Sequence, residues 1–150
     1  MPLRLTIVTV GKMKNAAQRA LFDHYADGIA VKEVEEKRKI SGAELKRSEA
    51  ELIRKAIPKG ALIVAMDRRG RSLSSEELAE RLQRWKTDGR NVAFVIGGAE
   101  GLDDALRDSA DFVLSFGPNT WPHMLARIML AEQLYRAQSI LAGHPYHRKG

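Results

Sequence analysis

The stretch from Asn91 to Gly101, which reads N-V-A-F-V-I-G-G-A-E-G, constrains the fold more than any other part of the chain. A short apolar run leads directly into three glycines, and a helical pattern begins near Leu102. Such a run is typical of a fully buried strand, and the glycines indicate a turn that needs positive φ or a close backbone approach. In open α/β sheets, ligands bind beyond the carboxyl ends of the strands. The sequence therefore predicts a ligand site at Gly97, Gly98 and Gly101, and the alternative is a simple tight turn.

Strand and helix patterns alternate five times along the 150 residues. Capping patterns at Asn15, Ser41 and Ser74 mark three helix starts, and Pro122 suits the first turn of a long last helix. Residues 67–72 are expected to form a loop after the third strand. The alternation, with short connections, predicts a single α/β domain over residues 1–150, with a mainly parallel sheet covered by helices on both faces. The predicted strands are residues 3–10, 29–35, 61–66, 91–96 and 112–115, with the second at an exposed edge.

Charge and composition restrict the classes of function. Lys and Arg number 25 against 19 Asp and Glu, so the formal net charge is +6 at pH 7. This balance favours a polyanionic partner, with nucleic acid as the first choice. No run approaches the roughly 18 apolar residues that a membrane span requires, and the start of the chain lacks a signal-peptide cleavage site. The absence of cysteine excludes disulfides and thiolate ligands. We therefore expect a cytoplasmic protein without a metal.

The last helix has apolar residues almost all the way round its wheel, where a surface helix would show one stripe. Such a helix is buried on two sides. In a protein of this size, a two-fold subunit interface is the simplest explanation for the second side, and the alternative is coverage by elements of the same chain. The apolar positions are Met124, Leu125, Ile128, Met129, Leu130, Ala131, Leu134, Tyr135, Ile140 and Leu141.

The residues around the glycine turn restrict what it can bind. A dinucleotide fold would carry its fingerprint on the first strand–helix turn, but the segment from Gly11 to Lys14 lacks the second and third glycines. Glu100, Asp103 and Asp104 crowd the start of the following helix, so a bound phosphate is disfavoured there. A nucleoside that carries positive charge, such as S-adenosylmethionine, is tolerated. The acids also suit a role that only complements the helix dipole.

A second loop rich in glycine and polar residues, Ser115 to His123, follows the next strand, and two adjacent strand ends with such loops would form one pocket. Trp121 suits either an adenine ring or a core or interface position. His123 suits either a structural hydrogen bond or catalysis. The arginines of the 67–72 loop lie at the same edge of the sheet, either solvated or placed to neutralise RNA phosphates. These arginines are Arg68, Arg69 and Arg71.

Several motifs, which occur together and cover essentially the whole chain, resemble those of the RlmH family. The motifs are Val10-Gly11-Lys12 after the first strand, the segments 96–101 (I-G-G-A-E-G) and 120–123 (T-W-P-H), the helix segment 131–137 (A-E-Q-L-Y-R-A) and the tail segment 144–148 (H-P-Y-H-R). Members of this family are SPOUT-class methyltransferases of bacterial large-subunit ribosomal RNA that modify N3 of a pseudouridine. Met66, which stands where the family often has leucine, leaves an apolar or backbone contact to the cofactor possible.

The resemblance implies a homodimer whose fold has a deep trefoil knot over about residues 91–143. Protein chains almost never form knots, so this fold would be a rare exception. It implies a site for S-adenosylmethionine at the two loops, with the RNA substrate at the loop arginines and His123. An assembled ribosome is the expected partner, because the chain has no separate RNA-binding module. The cofactor residues implied are Met66, Gly97, Gly98, Gly101, Phe116, Gly117, Pro118, Asn119, Thr120, Trp121 and Pro122.

The tail from His144 to Gly150 would fold over the active site of the partner subunit according to the same resemblance. Arg148 would stabilise an anion or a phosphate, His147 would handle a proton or orient the substrate, and Tyr146 would stack on or hydrogen-bond the base; His144 is the fourth candidate. Taken alone, such a tail is also typical of a frayed basic terminus. A non-catalytic RNA- or ribosome-binding module, or an enzyme that uses another nucleoside cofactor, remains an alternative.

Overall fold

The computed structural model describes residues 3–148 and contains one five-stranded sheet with five helices in those residues. Strands and helices alternate strictly, as the sequence predicts. In chain order the elements are β1 (Leu5–Val10), α1 (Ala16–Tyr25), β2 (Ala30–Val34), α2 (Gly42–Ala56), β3 (Leu62–Ser72), α3 (Ser75–Thr87), β4 (Val92–Ile96), α4 (Asp104–Ser109), β5 (Phe112–Ser115) and α5 (His123–Leu141).

All neighbouring strands are parallel, in the order β2-β1-β4-β3-β5, which confirms the predicted parallel sheet and the edge position of β2. The glycine-tipped strand β4 lies at the centre, between β1 and β3. Thr9 near the end of β1 pairs with Ile96, the last residue of β4. The carboxyl ends of the strands therefore meet at one edge of the sheet, where the glycine turn lies.

Helices cover both faces of the sheet, as predicted. Alternate residues of each strand point to opposite faces, so Ile7 and Phe94 join one apolar cluster while Val8 and Val95 join the other. The first cluster contains buried residues of α1, α3 and α5, and the second contains buried residues of α2 and α4. Because both faces are covered, the central strands are apolar along nearly their whole length.

The predicted loop at residues 67–72 is wrong, because β3 continues to Ser72. Its pairing with β5 shifts register, so that Met66 and Arg71 both face Leu114 and the four residues between them bulge out of the ladder. Gly70 allows this arrangement, since an added Cβ would lie 2.6 Å from the carbonyl oxygen of Val113. The arginines of this segment, Arg68, Arg69 and Arg71, resembled those of a loop because they are exposed.

All three helix starts agree with the capping patterns, but only two of the three residues form a side-chain cap bond. Asn15 accepts a hydrogen bond from the backbone of Gln18 at 3.0 Å, and Ser74 forms a complete capping box with Glu77. Ser41 precedes α2 but makes no side-chain cap bond, so that capping-box prediction is wrong. The last helix begins at His123, directly after Pro122.

The segment 116–122 crosses the sheet. It leaves β5 at one edge, yet α5 begins beside β1, where His123 Nε2 lies 3.2 Å from Thr9 Oγ1. Three strand spacings, about 14 Å, separate β5 from β1. The segment therefore passes over the carboxyl ends of β3 and β4. The trefoil knot itself stays a prediction.

The last helix buries one side within the chain and leaves apolar residues on another. Leu130, Ala131 and Leu134 are fully buried. Leu125, nine residues before Leu134 and so on the opposite side of the helix, is 44% exposed, and Trp121 just before the helix is 42% exposed. This distribution agrees with a helix that packs on two sides, while the homodimer stays a prediction.

The difference between the two serine caps predicts unequal effects on stability. Replacing Ser74 with Ala removes the hydrogen bond to the Glu77 amide, and we expect it to lower the free energy of unfolding by about 1 kcal/mol. Ser41→Ala removes no cap bond and serves as the matched control. Denaturant unfolding at one fixed protein concentration measures both, and equal losses would contradict the assigned caps.

Candidate active site

A cavity of about 730 Å³ opens at the carboxyl edge of the sheet, between the glycine turn and the crossing segment 116–122. Its walls also include residues 66–69 of β3, together with His123 and Ala126 of α5. Pro118 and Pro122 lie in the crossing segment but outside the lining. The other predicted cofactor residues all line this one cavity, namely Met66, Gly97, Gly98, Gly101, Phe116, Gly117, Asn119, Thr120 and Trp121.

The glycine turn has no room for side chains at its first two positions. A Cβ on Gly97 would lie 2.7 Å from the backbone of Gly101 and Leu102, so the turn would have to open. A Cβ on Gly98 would lie 2.8 Å from the carboxylate of Glu49, which is buried behind the turn. The Gly101 amide closes the turn by donating to the Gly98 carbonyl at 3.0 Å. The turn is therefore compact and presents bare backbone to the cavity.

Acidic residues surround the start of α4, as the sequence indicates. Glu100 lines the cavity. Asp103 caps the helix by accepting from the Leu106 amide at 3.2 Å, and Asp104 pairs with Arg107 at 3.0 Å. Glu100 thus places a carboxylate in the lining beside the glycine turn, where it locally disfavours an anionic group and complements a cationic one. Further charges in the lining come from Lys46, Asp67, Arg68 and Arg69.

Two of the three predicted RNA-binding arginines, Arg68 and Arg69, line the cavity, and Arg71 lies outside its lining. Arg69 donates to the carboxylate of Asp67 from its side chain at 3.0 Å and from its backbone at 2.8 Å. Burial alone would raise the pKa of Asp67, but these hydrogen bonds and the charges of Arg69 and Arg107 lower it. Asp67 is therefore ionised near neutral pH and offsets the charge of Arg69 at the cavity wall.

His123 lines the cavity and is held from behind by a buried network. Its Nε2 lies 2.9 Å from Arg127 Nη2 and 3.2 Å from Thr9 Oγ1. Arg127 is fully buried, and its Nη1 donates to Glu33 Oε2 at 2.6 Å.

Burial and the neighbouring Arg127 charge lower the pKa of His123, against a smaller opposing effect of the Gly97 backbone. The sequence suggested the same direction from the helix dipole, whereas the structure assigns it to burial and Arg127. An arginine can only donate, so Nε2 must be the acceptor and the ring proton lies on Nδ1. His123 is therefore neutral at pH 7 and a structural hydrogen-bonder, in line with one of the two roles that the sequence left open.

Residues 144–148 of the C-terminal tail lie against α3 and α5 of their own chain, and residues 149 and 150 lie outside the described residues. His147 Nε2 lies 2.5 Å from Glu76 Oε2, and its Nδ1 lies 3.0 Å from Arg136 Nη1. The Tyr146 ring packs edge-on against Tyr135 at a centroid distance of 4.8 Å, with the Arg136 guanidinium 4.9 Å from its centre.

Burial, followed by a hydrogen bond with Tyr25, raises the pKa of Tyr146 to about 12, so its hydroxyl stays protonated. His144 and Arg148 are exposed. The candidate catalytic residues His144, Tyr146, His147 and Arg148 are all absent from the cavity lining of their own chain. Within one subunit, the tail and the cavity are therefore separate.

Sequence reasoning missed several side chains of the cavity. Lys46 of α2 lines it. The capping pattern and the apolar stripe of that helix indicate only which face packs on the sheet, so they gave no reason to expect Lys46 in the cavity. Asp67 was assigned to a loop and given no role. Ile96, Leu102 and Leu114 complete an apolar part of the wall. One local feature of the sequence would have indicated Asp67 as a site residue. It directly follows the apolar run of residues 61–66, and ligands bind beyond the carboxyl ends of such strands.

Comparison with known proteins identifies the family. Residues 3–147 match the family described as predicted SPOUT methyltransferase. The chain belongs to the SPOUT methyltransferase family. A curated relative from Rhodospirillum centenum, named ribosomal RNA large subunit methyltransferase H, is 52% identical to it over 97% of this chain and 99% of the relative.

Solved structures share the SPOUT methyltransferase fold at low sequence identity. A probable methylase family protein from Haemophilus influenzae Rd KW20 has a TM-score of 0.59 at 14% identity, covering 98% of this chain and 71% of that one. A putative methyltransferase from Legionella pneumophila, solved with bound cofactor SAM, has a TM-score of 0.51 at 12% identity, covering 91% and 67%. At these identities the likeness supports the fold alone.

Between residues 3 and 148, no group of three or more His, Asp or Glu side chains is placed to hold a metal ion. Over the same residues, no helix is long and apolar enough to cross a membrane.

The network around His123 predicts its titration. We expect NMR of the ring to show a pKa below the ordinary 6.5, with nitrogen shifts that place the proton on Nδ1 at pH 7. Between the lowered pKa and 6.5, the unfolded state binds more protons, so this residue makes stability fall as the pH is lowered through that window. A protonated ring at pH 7, or a proton on Nε2, would contradict the assigned network.

Proposed function

We propose that this protein is an S-adenosylmethionine-dependent methyltransferase that acts on N3 of a pseudouridine in 23S ribosomal RNA. The observation that supports this most directly is the cavity, where the glycine turn and the crossing segment of a SPOUT fold meet. Its relative from Rhodospirillum centenum carries the name ribosomal RNA large subunit methyltransferase H and matches nearly end to end.

The residues of the cavity fit S-adenosylmethionine. Phe116 and Trp121 provide aromatic surface for an adenine, and bare backbone at Gly97 and Gly98 lets a ligand approach closely. Glu100 complements a cationic sulfonium and would repel the phosphates of a dinucleotide. The volume of about 730 Å³ lies within the range usual for ligand sites. When bound, the cofactor supplies an activated methyl group.

Methylation at N3 replaces a proton with a methyl group, so the protein has to help that proton leave. Donors that stabilise the developing anion, or a base that accepts the proton, serve this purpose. We assign anion or phosphate stabilisation to Arg148, proton handling or substrate orientation to His147, and contact with the base to Tyr146, with His144 beside them. Docking of Tyr146 and His147 on α5 holds the tail in a defined position, and Arg148 is exposed and available.

The tail would complete the cavity of a partner subunit, because it lies apart from the cavity of its own chain. We propose a homodimer, with each chain a single domain over residues 1–150, that pairs through the exposed apolar side of α5. Trp121 and Leu125 lie on that side, next to a second apolar hollow of about 590 Å³ between α3, α5 and the end of β5. Burial of this surface on dimerisation would be favourable.

The substrate we propose is ribosomal RNA within an assembled ribosome in the cytoplasm. Arg68 is exposed at the cavity wall, and Arg69 and Arg71 are exposed nearby, so phosphate contacts at this edge are accessible. The net charge of +6 also suits a polyanionic partner. The described residues 3–148 form one small sheet with helices, and such a domain is better suited to a preassembled RNA shape than to a free strand.

A non-catalytic ribosome-binding module is the alternative, and the basic charge and the tail suit it equally well. It would have no need for a cavity lined by glycine backbone. Calorimetry separates the two, because a module of that kind would bind ribosomes without binding S-adenosylmethionine.

Tritiated methyl transfer to intact ribosomes, taken from a strain that lacks this activity, tests the proposed function. We expect incorporation into 23S ribosomal RNA by the wild-type dimer. Arg148→Ala should abolish transfer while leaving the affinity for S-adenosylmethionine nearly unchanged, since Arg148 is assigned to the substrate. Lys55→Ala, which removes an exposed charge at the far end of α2, is the matched control. No incorporation by the wild-type protein would refute the proposal.

A mixed dimer tests whether the tail acts across subunits. Gly97→Ala should disable the cavity of one chain, because the added Cβ meets backbone at 2.7 Å, and Arg148→Ala disables the tail of the other. If the tail serves the partner, a purified heterodimer of the two variants keeps one intact cavity with one intact tail, and we expect about half of wild-type activity. A heterodimer as inactive as both parent homodimers would instead place the tail in its own subunit's site.

A further inference from the structure

We propose that Glu49 gives the cavity a preference for the cationic cofactor S-adenosylmethionine over its neutral product, S-adenosylhomocysteine. The two ligands differ by one methyl group and one positive charge, because sulfur becomes a neutral thioether once the methyl group has left. A carboxylate close to the cavity attracts the charged ligand more strongly than the neutral one. This inference rests on the proposed function, since it concerns the same cavity.

The first observation is that Glu49 is buried without a partner. It lies on the face of α2 that packs on the sheet, together with Ala50 and Ile53, and is only 7% exposed. Its Oε1 has no hydrogen-bond partner, and its carboxylate forms no ion pair with any other described residue. A buried carboxylate in this state costs free energy, and an apolar side chain would be more favourable for folding. Stability therefore does not explain why a glutamate is present here.

The second observation is the location of Glu49, directly behind the glycine turn. Its two carboxylate oxygens lie 2.8 and 3.1 Å from the position that a Cβ would take on Gly98. Gly98 lines the cavity, whereas Glu49 does not. One layer of glycine backbone therefore separates the carboxylate from the cavity. A charge that is buried at so short a distance from a ligand site is screened much less than an exposed one.

The third observation is that the charges around Glu49 leave its carboxylate without a counter-charge in the part of the chain that the structure describes. Arg38, which lies beside α2, is already paired with Glu36 at 2.8 Å. Lys46, one turn earlier on α2, lines the cavity but does not pair with Glu49. Burial, followed by the charges of Glu100 and Glu36, raises the pKa of Glu49. A cation bound in the cavity would oppose this effect and keep the carboxylate ionised.

The variant Glu49→Gln tests the preference, because it keeps the shape of the side chain and removes its charge. The quantity to measure is the dissociation constant of S-adenosylhomocysteine divided by that of S-adenosylmethionine. We expect this ratio to fall about fivefold, the effect of a unit charge that acts across one layer of backbone. Glu51→Gln removes the same charge from an exposed position of α2 and should leave the ratio unchanged. Calorimetry on the purified proteins, at one pH and one ionic strength, measures both ligands.

A residue that only supports the glycine turn would affect the two ligands equally. An unchanged ratio in Glu49→Gln, or an equal fall in Glu51→Gln, would therefore overturn the inference. Glu49→Met, which is similar in length and has no charge, carries the same expectation and replaces the Gln variant if that variant fails to fold. Absence of S-adenosylmethionine binding by the wild-type protein would instead refute the proposed function, whereas normal binding with an unchanged ratio would refute this inference alone.

Discussion

The ion pair between the buried Arg127 and Glu33 is the interaction that holds the start of α5 against β1 and β2. The guanidinium is fully buried and bridges α5, β1 and β2, three elements that are far apart in the chain. Loss of Glu33 would leave the fully buried charge of Arg127 uncompensated, at a cost of about 3–5 kcal/mol. Loss of Arg127 would be milder, because Glu33 would still pair with Arg19 at 2.8 Å. Because this pair holds the start of α5 beside β1, the segment that leaves β5 has to pass over the ends of β3 and β4.

That passage creates the cavity. Neither the glycine turn nor the segment 116–122 is a ligand site alone, since each is only a strand end followed by a loop. Because α5 begins beside β1, the two segments lie together and enclose bare backbone, aromatic surface and the carboxylate of Glu100. The same helix carries the docked C-terminal tail and an exposed apolar side. One helix thus connects the cavity, the tail and the proposed subunit interface.

Several parts of the site were predictable from the sequence because they depend on local chemistry. The glycines at 97, 98 and 101 had to accommodate a tight turn, and the acids that follow them had to disfavour phosphate. The extension of β3 was missed because exposed arginines in a bulge have the composition of a loop. The failed cap at Ser41 shows that a capping pattern names a candidate bond, while the backbone around it decides whether that bond forms.

Local patterns specified the strands, the helices, the two covered faces and the glycine turn, because backbone preference and burial are expressed within a few residues. Tertiary structure alone decided which polar groups meet. Glu33 and Arg127 are 94 residues apart, and no periodicity links them. The proton position on His123, the entry of Lys46 into the cavity and the separation of the tail from its own cavity all follow from where distant elements cross. A hydrogen bond needs its two partners within about 3 Å of each other, and only the folded chain brings them there.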